Sequence, residues 1–206
     1  MSPSKQTLVL ATGNSGKVRE LRKLFDVLPF YLTSLSDYDG IRPVEETGST
    51  FEENATLKAV GLASQTGEIA LADDSGLEVE ALENRPGVLS ARFAGENSGY
   101  DVKIAKLLEM IDATGDTARR ARFVCTMALS DPRGRVLHVV RGACVGTIAT
   151  APRGANGFGY DPIFIPAGYE LTFGELPDEV KERVSHRSRA GALIIRFLLD
   201  FYGGLT

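Results

Sequence analysis

A mixed α/β fold, with a central sheet flanked by helices, is what this sequence predicts, and three observations carry the prediction. The first 28 residues read as strand, turn and helix. A capped second helix follows and leads straight into a short apolar strand at Ile69–Ala72. Later in the chain, strand patterns are joined by a tight turn instead of a helix. Helical crossovers early imply parallel pairing and hairpins late imply antiparallel pairing, so one sheet should hold both. With 206 residues the chain can bury one sizeable core, and a single domain over residues 1–206 is the expectation.

Taken in order, Thr7–Leu8–Val9–Leu10–Ala11 reads as a buried strand. Thr12–Gly16 is a turn. From Lys17 to Leu28, apolar Val18, Leu21, Leu24, Phe25 and Leu28 recur at intervals of three and four and make one helical face. Ser34–Gly48 is polar and acidic, and reads as loop. Thr50 and Glu53 form a capping box for a helix running to about Thr66. Ile69–Ala72 is a short strand that stops at Asp73–Asp74–Ser75–Gly76. Leu77–Leu82 alternates apolar and acidic residues, as a half-buried strand does. Asn84–Gly87 is a turn, and Gly99–Ile111 a helix with Val102, Ala105, Leu108 and Met110 or Ile111 inward. Strands at Arg122–Leu129 and Val136–Val140 flank the hairpin signal Asp131–Pro132–Arg133–Gly134. Ala143–Ala149 is another strand. A short helix opens at Pro177–Asp178, and Ser188 can cap a last helix that ends at Gly203–Gly204.

The formal net charge is -4, so the chain has no general pull on nucleic acid or an anionic membrane. A polyanionic ligand must be met by a local cluster of cations and backbone N–H groups. No apolar run approaches the ~20 residues of a membrane span, and none resembles a signal-peptide core; a cytoplasmic protein is the simple expectation. Cys125 and Cys144 sit in apolar stretches without metal-ligand spacing, as reduced, buried thiols do.

Five groups of residues look like chemistry. Thr12-Gly13-Asn14-Ser15-Gly16-Lys17 lies between a strand and a helix start, where free N–H groups and the helix dipole favour an anion and Lys17 adds a full charge. Read as a P-loop it fails twice: Ala11 replaces the first glycine and Val18 the metal-binding hydroxyl. Asp73–Asp74 ends an apolar strand, where α/β sheets bind ligands, and hard carboxylate oxygens suit Mg²⁺. Glu45–Glu46 could add a carboxylate, although an acidic solvated loop reads the same way. Asn54 and Lys58 share a helical face and by themselves read as solvent-side polarity. Gly157–Phe158–Gly159–Tyr160–Asp161 leaves room for a planar ring beside an aromatic face, or is a plain glycine-rich loop. Lys181 with Ser185–His186–Arg187 supplies donors suited to carbonyl or phosphate oxygens. His138 lies in a predicted strand and reads as structural. No Ser-His-Asp order, zinc spacing or dinucleotide-binding glycine pattern is present.

In this order the motifs T-G-N-x-x-K, E-E-T-G-x-T-F-x-E-N-A, A-D-D-S-G-L, R-P-G-V-x-S-A-R, G-F-G-Y-D-P and S-H-R span Leu10 to Arg187. As a set they resemble the inosine triphosphate pyrophosphatase family, which removes non-standard purine nucleotides. The resemblance implies an elongated, two-lobed α/β domain with a cleft between the lobes, and a homodimer. It implies hydrolysis of ITP, dITP or XTP to the monophosphate and pyrophosphate. It implies that Thr12–Lys17 hold the triphosphate with Asn54 and Lys58, and that Glu45 and Asp74 bind Mg²⁺. Asp74 is then the candidate general base, Ser75 contacts substrate, Phe158–Asp161 hold base and ribose, and Lys181, His186 and Arg187 read the purine edge. Two other classes remain open at this point: a P-loop-like ATPase releasing orthophosphate, and a non-catalytic nucleotide sensor.

Overall fold

The computed structural model describes residues 6–95 and 97–202. Among the described residues, seven strands and five α-helices follow in chain order: β1 (Thr7–Leu10), α1 (Ser15–Phe25), β2 (Tyr31–Ser34), α2 (Phe51–Thr66), β3 (Ile69–Val79), β4 (Arg85–Pro86), α3 (Tyr100–Thr114), β5 (Arg120–Ser130), β6 (Val136–Ile148), β7 (Phe164–Pro166), α4 (Asp178–Val184) and α5 (His186–Tyr202). The sheet order is β2-β1-β3-β5-β6-β7, with β4 paired to β3. β1 runs parallel to β2 and to β3, with Leu8 opposite Ile69 and Leu10 opposite Leu71. β4 and β7 pair antiparallel with β3 and β6. The sheet is therefore mixed, as the connections predicted.

Contacts group the chain into two compact units, and β3, β5 and β6 each pass from one into the other. In the unit formed by residues 6–74, 125–142 and 189–202, strand alternation sorts the core into two layers. Leu8, Leu10, Ile69 and Leu71 face Leu21 and Phe25 of α1 and Ala190, Ile194 and Leu198 of α5. Val9, Ala11, Ala70 and Ala72 face Ala55, Ala59, Leu62 and Ala63 of α2. The second layer is built mostly of alanine, so α2 can approach the sheet closely, and polar side chains on its neighbouring positions come within reach of β3.

The other unit, residues 75–124 and 143–188 with Glu96 outside the described set, has one core. Leu77, Val79, Phe123, Cys144 and Ile148 of the strands meet Ile104, Leu107 and Ile111 of α3. Phe164 packs between Phe123 and Phe173, at ring-centroid distances of 4.6 and 5.5 Å.

The structure departs from the sequence expectation at several points. β2 was not foreseen, because it is a four-residue edge strand with Tyr31 exposed and lacks an apolar run. β7, of three residues, was not foreseen either. β3 does not stop at Asp73; it continues to Val79, because backbone pairing is indifferent to side-chain polarity when the carboxylates find buried partners. β6 likewise runs unbroken through Arg141–Gly142. The inward face of α3 is Lys103, Ile104, Leu107 and Ile111, while Val102 and Ala105 are exposed. The last helix starts at His186, three residues earlier than expected, and its start is capped by Ser185, whose Oγ accepts the Ser188 N–H at 3.1 Å. Its expected end at Gly203–Gly204 lies outside the described residues. The hairpin at Asp131–Gly134 forms as predicted: the Asp131 N–H donates to the Arg135 carbonyl at 3.0 Å, and Gly134 takes the left-handed φ of 78° that the turn requires.

Candidate functional site

The first polar group lies within the unit that holds β1, α1 and α2. The β1-to-β2 connection passes through α1 on one face of the sheet, and the β2-to-β3 connection through α2 on the other. The neighbouring strands β1 and β3 therefore lie where successive connections leave in opposite directions, the place where open α/β sheets receive ligands. Just beyond β1, Asn14 caps α1: its Oδ1 accepts the Lys17 N–H at 3.1 Å, and its own N–H donates to Thr12 Oγ1 at 3.2 Å. Gly13, Asn14 and Ser15 are exposed. An exposed helix start with a lysine in its first turn is a ready anion site.

Lys17 Nζ meets Asp73 Oδ2 at 2.9 Å, and the Asp73 side chain is fully buried. Asp74 is buried beside α2. Its Oδ1 accepts from Lys58 Nζ at 3.1 Å and its Oδ2 from Asn54 Nδ2 at 3.3 Å. Lys58 Nζ also meets Glu46 Oε1 at 2.7 Å, so one ammonium ties two carboxylates together. Fully buried Asn54 accepts the Gly48 N–H at 2.8 Å, and this bond draws the acidic loop onto the start of α2. Only glycine fits at position 48, because a Cβ there would lie 2.7 Å from Asn54 Oδ1. The capping box foreseen at Thr50 and Glu53 is present, with both reciprocal bonds made.

The electrostatics follow from this crowding. Burial, reinforced by Glu46, raises the Asp74 carboxyl above the ordinary aspartate range, against the pull of Lys58 and Lys17. Burial alone would lower Lys58, but Asp74, Asp73 and Glu46 together outweigh it and its ammonium is held above the usual range.

The second group lies within the other unit. The carboxylate of Asp161, 2% exposed, accepts the Phe158 N–H at 2.8 Å and meets Lys181 Nζ at 2.5 Å. Lys181 Nζ stands 4.6 Å from the Phe158 ring centroid and the Arg187 guanidinium carbon 5.7 Å from it, so two cations flank one aromatic ring. Arg187 Nη2 donates to Ser75 Oγ at 3.0 Å. His186 is buried and stacks on Phe123 at 4.8 Å, and the buried Tyr160 hydroxyl donates to the Ser90 carbonyl at 3.0 Å. Gly157 turns the loop at a φ of 73°, and a Cβ on it would run into the Asp161 carboxylate.

Lys17, Asn54, Lys58 and Asp74 thus meet in one unit, and Ser75, Phe158, Asp161, Lys181 and Arg187 in the other. A Cβ added at Gly159 would come into van der Waals contact with the Tyr100 ring, at 3.5 Å. Tyr160 and Asp161 are engaged in holding their own loop, and His186 in packing. Glu45, expected as a metal ligand, is exposed, while the next residue, Glu46, reaches Lys58. Loop residues carry no periodicity from which the inward member of the Glu45–Glu46 pair could be chosen. The sequence pattern pairs Asp73 with Asp74 as carboxylates suited to Mg²⁺, and it marks no role for Gly48, Ser90 or Phe123. For Asp73 a signal existed, because adjacent strand residues face opposite layers.

The fold and this arrangement define a mixed α/β protein with a cationic turn after its first strand and lysine-paired carboxylates on the parallel neighbour of that strand. Residues 8–197 match the model of the Ham1 family, and the chain belongs to that family. It is 50% identical over 197 residues to a dITP/XTP pyrophosphatase of an Exiguobacterium species, covering 96% of this chain and 99% of that one. It is 48% identical over 183 residues to a dITP/XTP pyrophosphatase of Desulforamulus reducens, covering 89% and 90%. Among solved structures, a HAM1 protein from Coxiella burnetii superimposes with a TM-score of 0.87 at 41% identity, covering 95% of this chain and 99% of the other. The Ham1 protein of Staphylococcus aureus does so with a TM-score of 0.83, at 41% identity over 94% and 98%.

Proposed function

We propose that this protein hydrolyses non-standard purine nucleoside triphosphates (ITP, dITP and XTP) to the monophosphate and pyrophosphate, clearing them from the nucleotide pool. The observation that carries the reading is the cluster in which Lys17 and Lys58 pair with Asp73, Asp74 and Glu46 beside the exposed start of α1. Near-half identity to two dITP/XTP pyrophosphatases over most of their length supports it.

The donor set suits Mg²⁺ by its chemistry: hard carboxylate oxygens of Asp74 and Glu46 both reach the same Lys58 Nζ. These two residues would hold it, in place of the Glu45–Asp74 pair implied by the motifs. Bound there, Mg²⁺ supplies Lewis acidity and offsets phosphate charge. The chain's own groups do the rest. The Thr12–Lys17 turn grips the triphosphate. Asp74 accepts the proton of a water that attacks the α-phosphorus, and the bond from that phosphorus to the bridging oxygen breaks. Lys17 and Lys58 offset the charge that develops on the departing pyrophosphate. Phe158 stacks on the base. Lys181 and Arg187, donors only, donate to the 6-oxo oxygen of hypoxanthine or xanthine and leave the 6-amino group of adenine unpaired. The protein works as a cytoplasmic homodimer, which light scattering of the purified chain tests.

Product analysis with ITP, XTP, dITP, GTP and ATP in the presence of Mg²⁺ tests the reading. Pyrophosphate and monophosphate are expected from the first three. Orthophosphate release would instead indicate a P-loop-like ATPase, equal rates for ATP and ITP would contradict the base recognition, and binding without turnover would indicate a sensor.

A further inference from the structure

Asp73 and Asp74 are adjacent on β3, and adjacent strand residues face opposite sides of a sheet. The core layers show which side each takes. Ile69 and Leu71 belong to the α1 and α5 layer, and Asp73 continues that series: it meets Lys17 of α1 at 2.9 Å, with the Cys125 thiol, a member of the same layer, 4.0 Å away. Ala70 and Ala72 belong to the α2 layer, and Asp74 continues that one, meeting Asn54 and Lys58 of α2. The twin aspartates therefore serve different helices. Glu46 joins Asp74 through Lys58, on the α2 side.

We infer that Asp73 is a positioning residue: it fixes the Lys17 ammonium at the phosphate-binding turn and takes no part in holding the metal. The side chain of Asp73 is fully buried and that of Lys17 only 16% exposed, so the pair has one arrangement instead of a solvated ensemble. A lysine stem has four rotatable bonds, and anchoring its tip against a rigid strand removes most of the freedom that binding would otherwise have to restrict. The anchor lies next in sequence to Asp74, so any shift in β3 moves the phosphate-binding ammonium and the Asp74 carboxylate together. This inference rests on the proposed reading for the identity of the ligand only.

The test is a double-mutant cycle of Asp73→Asn and Lys17→Met, read by calorimetric binding of inorganic tripolyphosphate alone and of Mg²⁺ alone, with ITP turnover in parallel. Asp73→Asn should weaken tripolyphosphate binding about tenfold, the loss expected for one charge-assisted hydrogen bond. In the Lys17→Met background the same change should alter it by less than about twofold, because the residue it acts through is gone. Mg²⁺ binding should stay within about twofold of wild type in Asp73→Asn and be lost in Asp74→Asn. Multiplying effects in the cycle, Mg²⁺ binding lost in Asp73→Asn, or no tripolyphosphate binding by the wild type would each overturn the inference. If Asp73→Asn does not fold, Asp73→Glu replaces it in the cycle: it keeps the charge, moves the carboxylate by one methylene, and should show the same lack of additivity. A wild type that couples Asp73 to Lys17 in tripolyphosphate binding yet turns over no nucleotide would reject the proposed function and leave this inference standing.

Discussion

Asn54 should be the most sensitive polar position in the fold that is not itself a charge. It is fully buried, accepts the Gly48 N–H at 2.8 Å and donates to Asp74 at 3.3 Å. Replacing it with alanine orphans the half-buried Gly48 N–H and one Asp74 carboxylate oxygen. Each orphan costs about 1–3 kcal/mol, so Asn54→Ala should lose about 2–6 kcal/mol in all. In a chain of this size each kcal/mol lowers the melting temperature by about 2–4 °C, which gives a fall of roughly 4–24 °C. Asn54→Asp is nearly isosteric but places a second carboxylate 3.3 Å from Asp74, where two full charges repel by about 5 kcal/mol at an effective dielectric of about 20. At neutral pH it should be at least as damaging as alanine, even though its volume is unchanged. Thermal and urea unfolding measure the stability, and pyrophosphate release from ITP measures the site. An alanine variant within about 0.5 kcal/mol of wild type, the scatter of an ordinary surface change, would refute the role given to these two bonds.

Glu46→Gln should cut pyrophosphate release by about 10–100-fold and raise the Mg²⁺ needed for half-maximal rate, while Glu45→Gln stays near wild type; a Mg²⁺ titration of both variants separates them. Asp74→Asn should abolish turnover and retain part of the nucleotide affinity, as single-turnover and binding assays will show. Gly157→Ala puts a Cβ against the Asp161 carboxylate at a left-handed φ of 73°, costing about 1–2 kcal/mol in backbone strain alone, and should raise KM for ITP more than it lowers kcat. Glu53 is held below the ordinary glutamate range by the side chain and N–H of Ser49 and then by Thr50, so its contribution to stability is complete above its unfolded-state pKa and fades as the pH falls through the lower folded value. The stability gap between wild type and Glu53→Gln should therefore narrow on acidification, which unfolding curves at several pH values will reveal.

Much of the fold was legible because its signals are local. The Thr50–Glu53 box, the Asp131–Gly134 hairpin and the three-and-four spacing of α1 each need only a few adjacent residues, and each forms where expected, α1 closing at Phe25 and not at Leu28. The misses are places where local pattern and tertiary pairing disagree. β2 and β7 are too short to carry a pattern. In α3, Val102 looked inward by composition, but Tyr100, Lys103, Ile104, Leu107 and Ile111 form the face that packs, and Lys103 satisfies its buried ammonium on the Ala91 carbonyl at 2.5 Å.

By itself the sequence determined the fold class, the capped helices, the hairpin, the family motifs and the residue types that form the polar site, because periodicity, turn chemistry and motif spacing are written along the chain. Only the tertiary structure decided that Glu46 reaches the lysine that holds Asp74, that Asp73 answers to Lys17, and that Asn54 is buried and Lys58 half-buried instead of solvated. Those choices depend on which layer of the sheet a side chain enters and on how closely the alanine face lets α2 approach, and both are properties of packing between segments far apart in the chain.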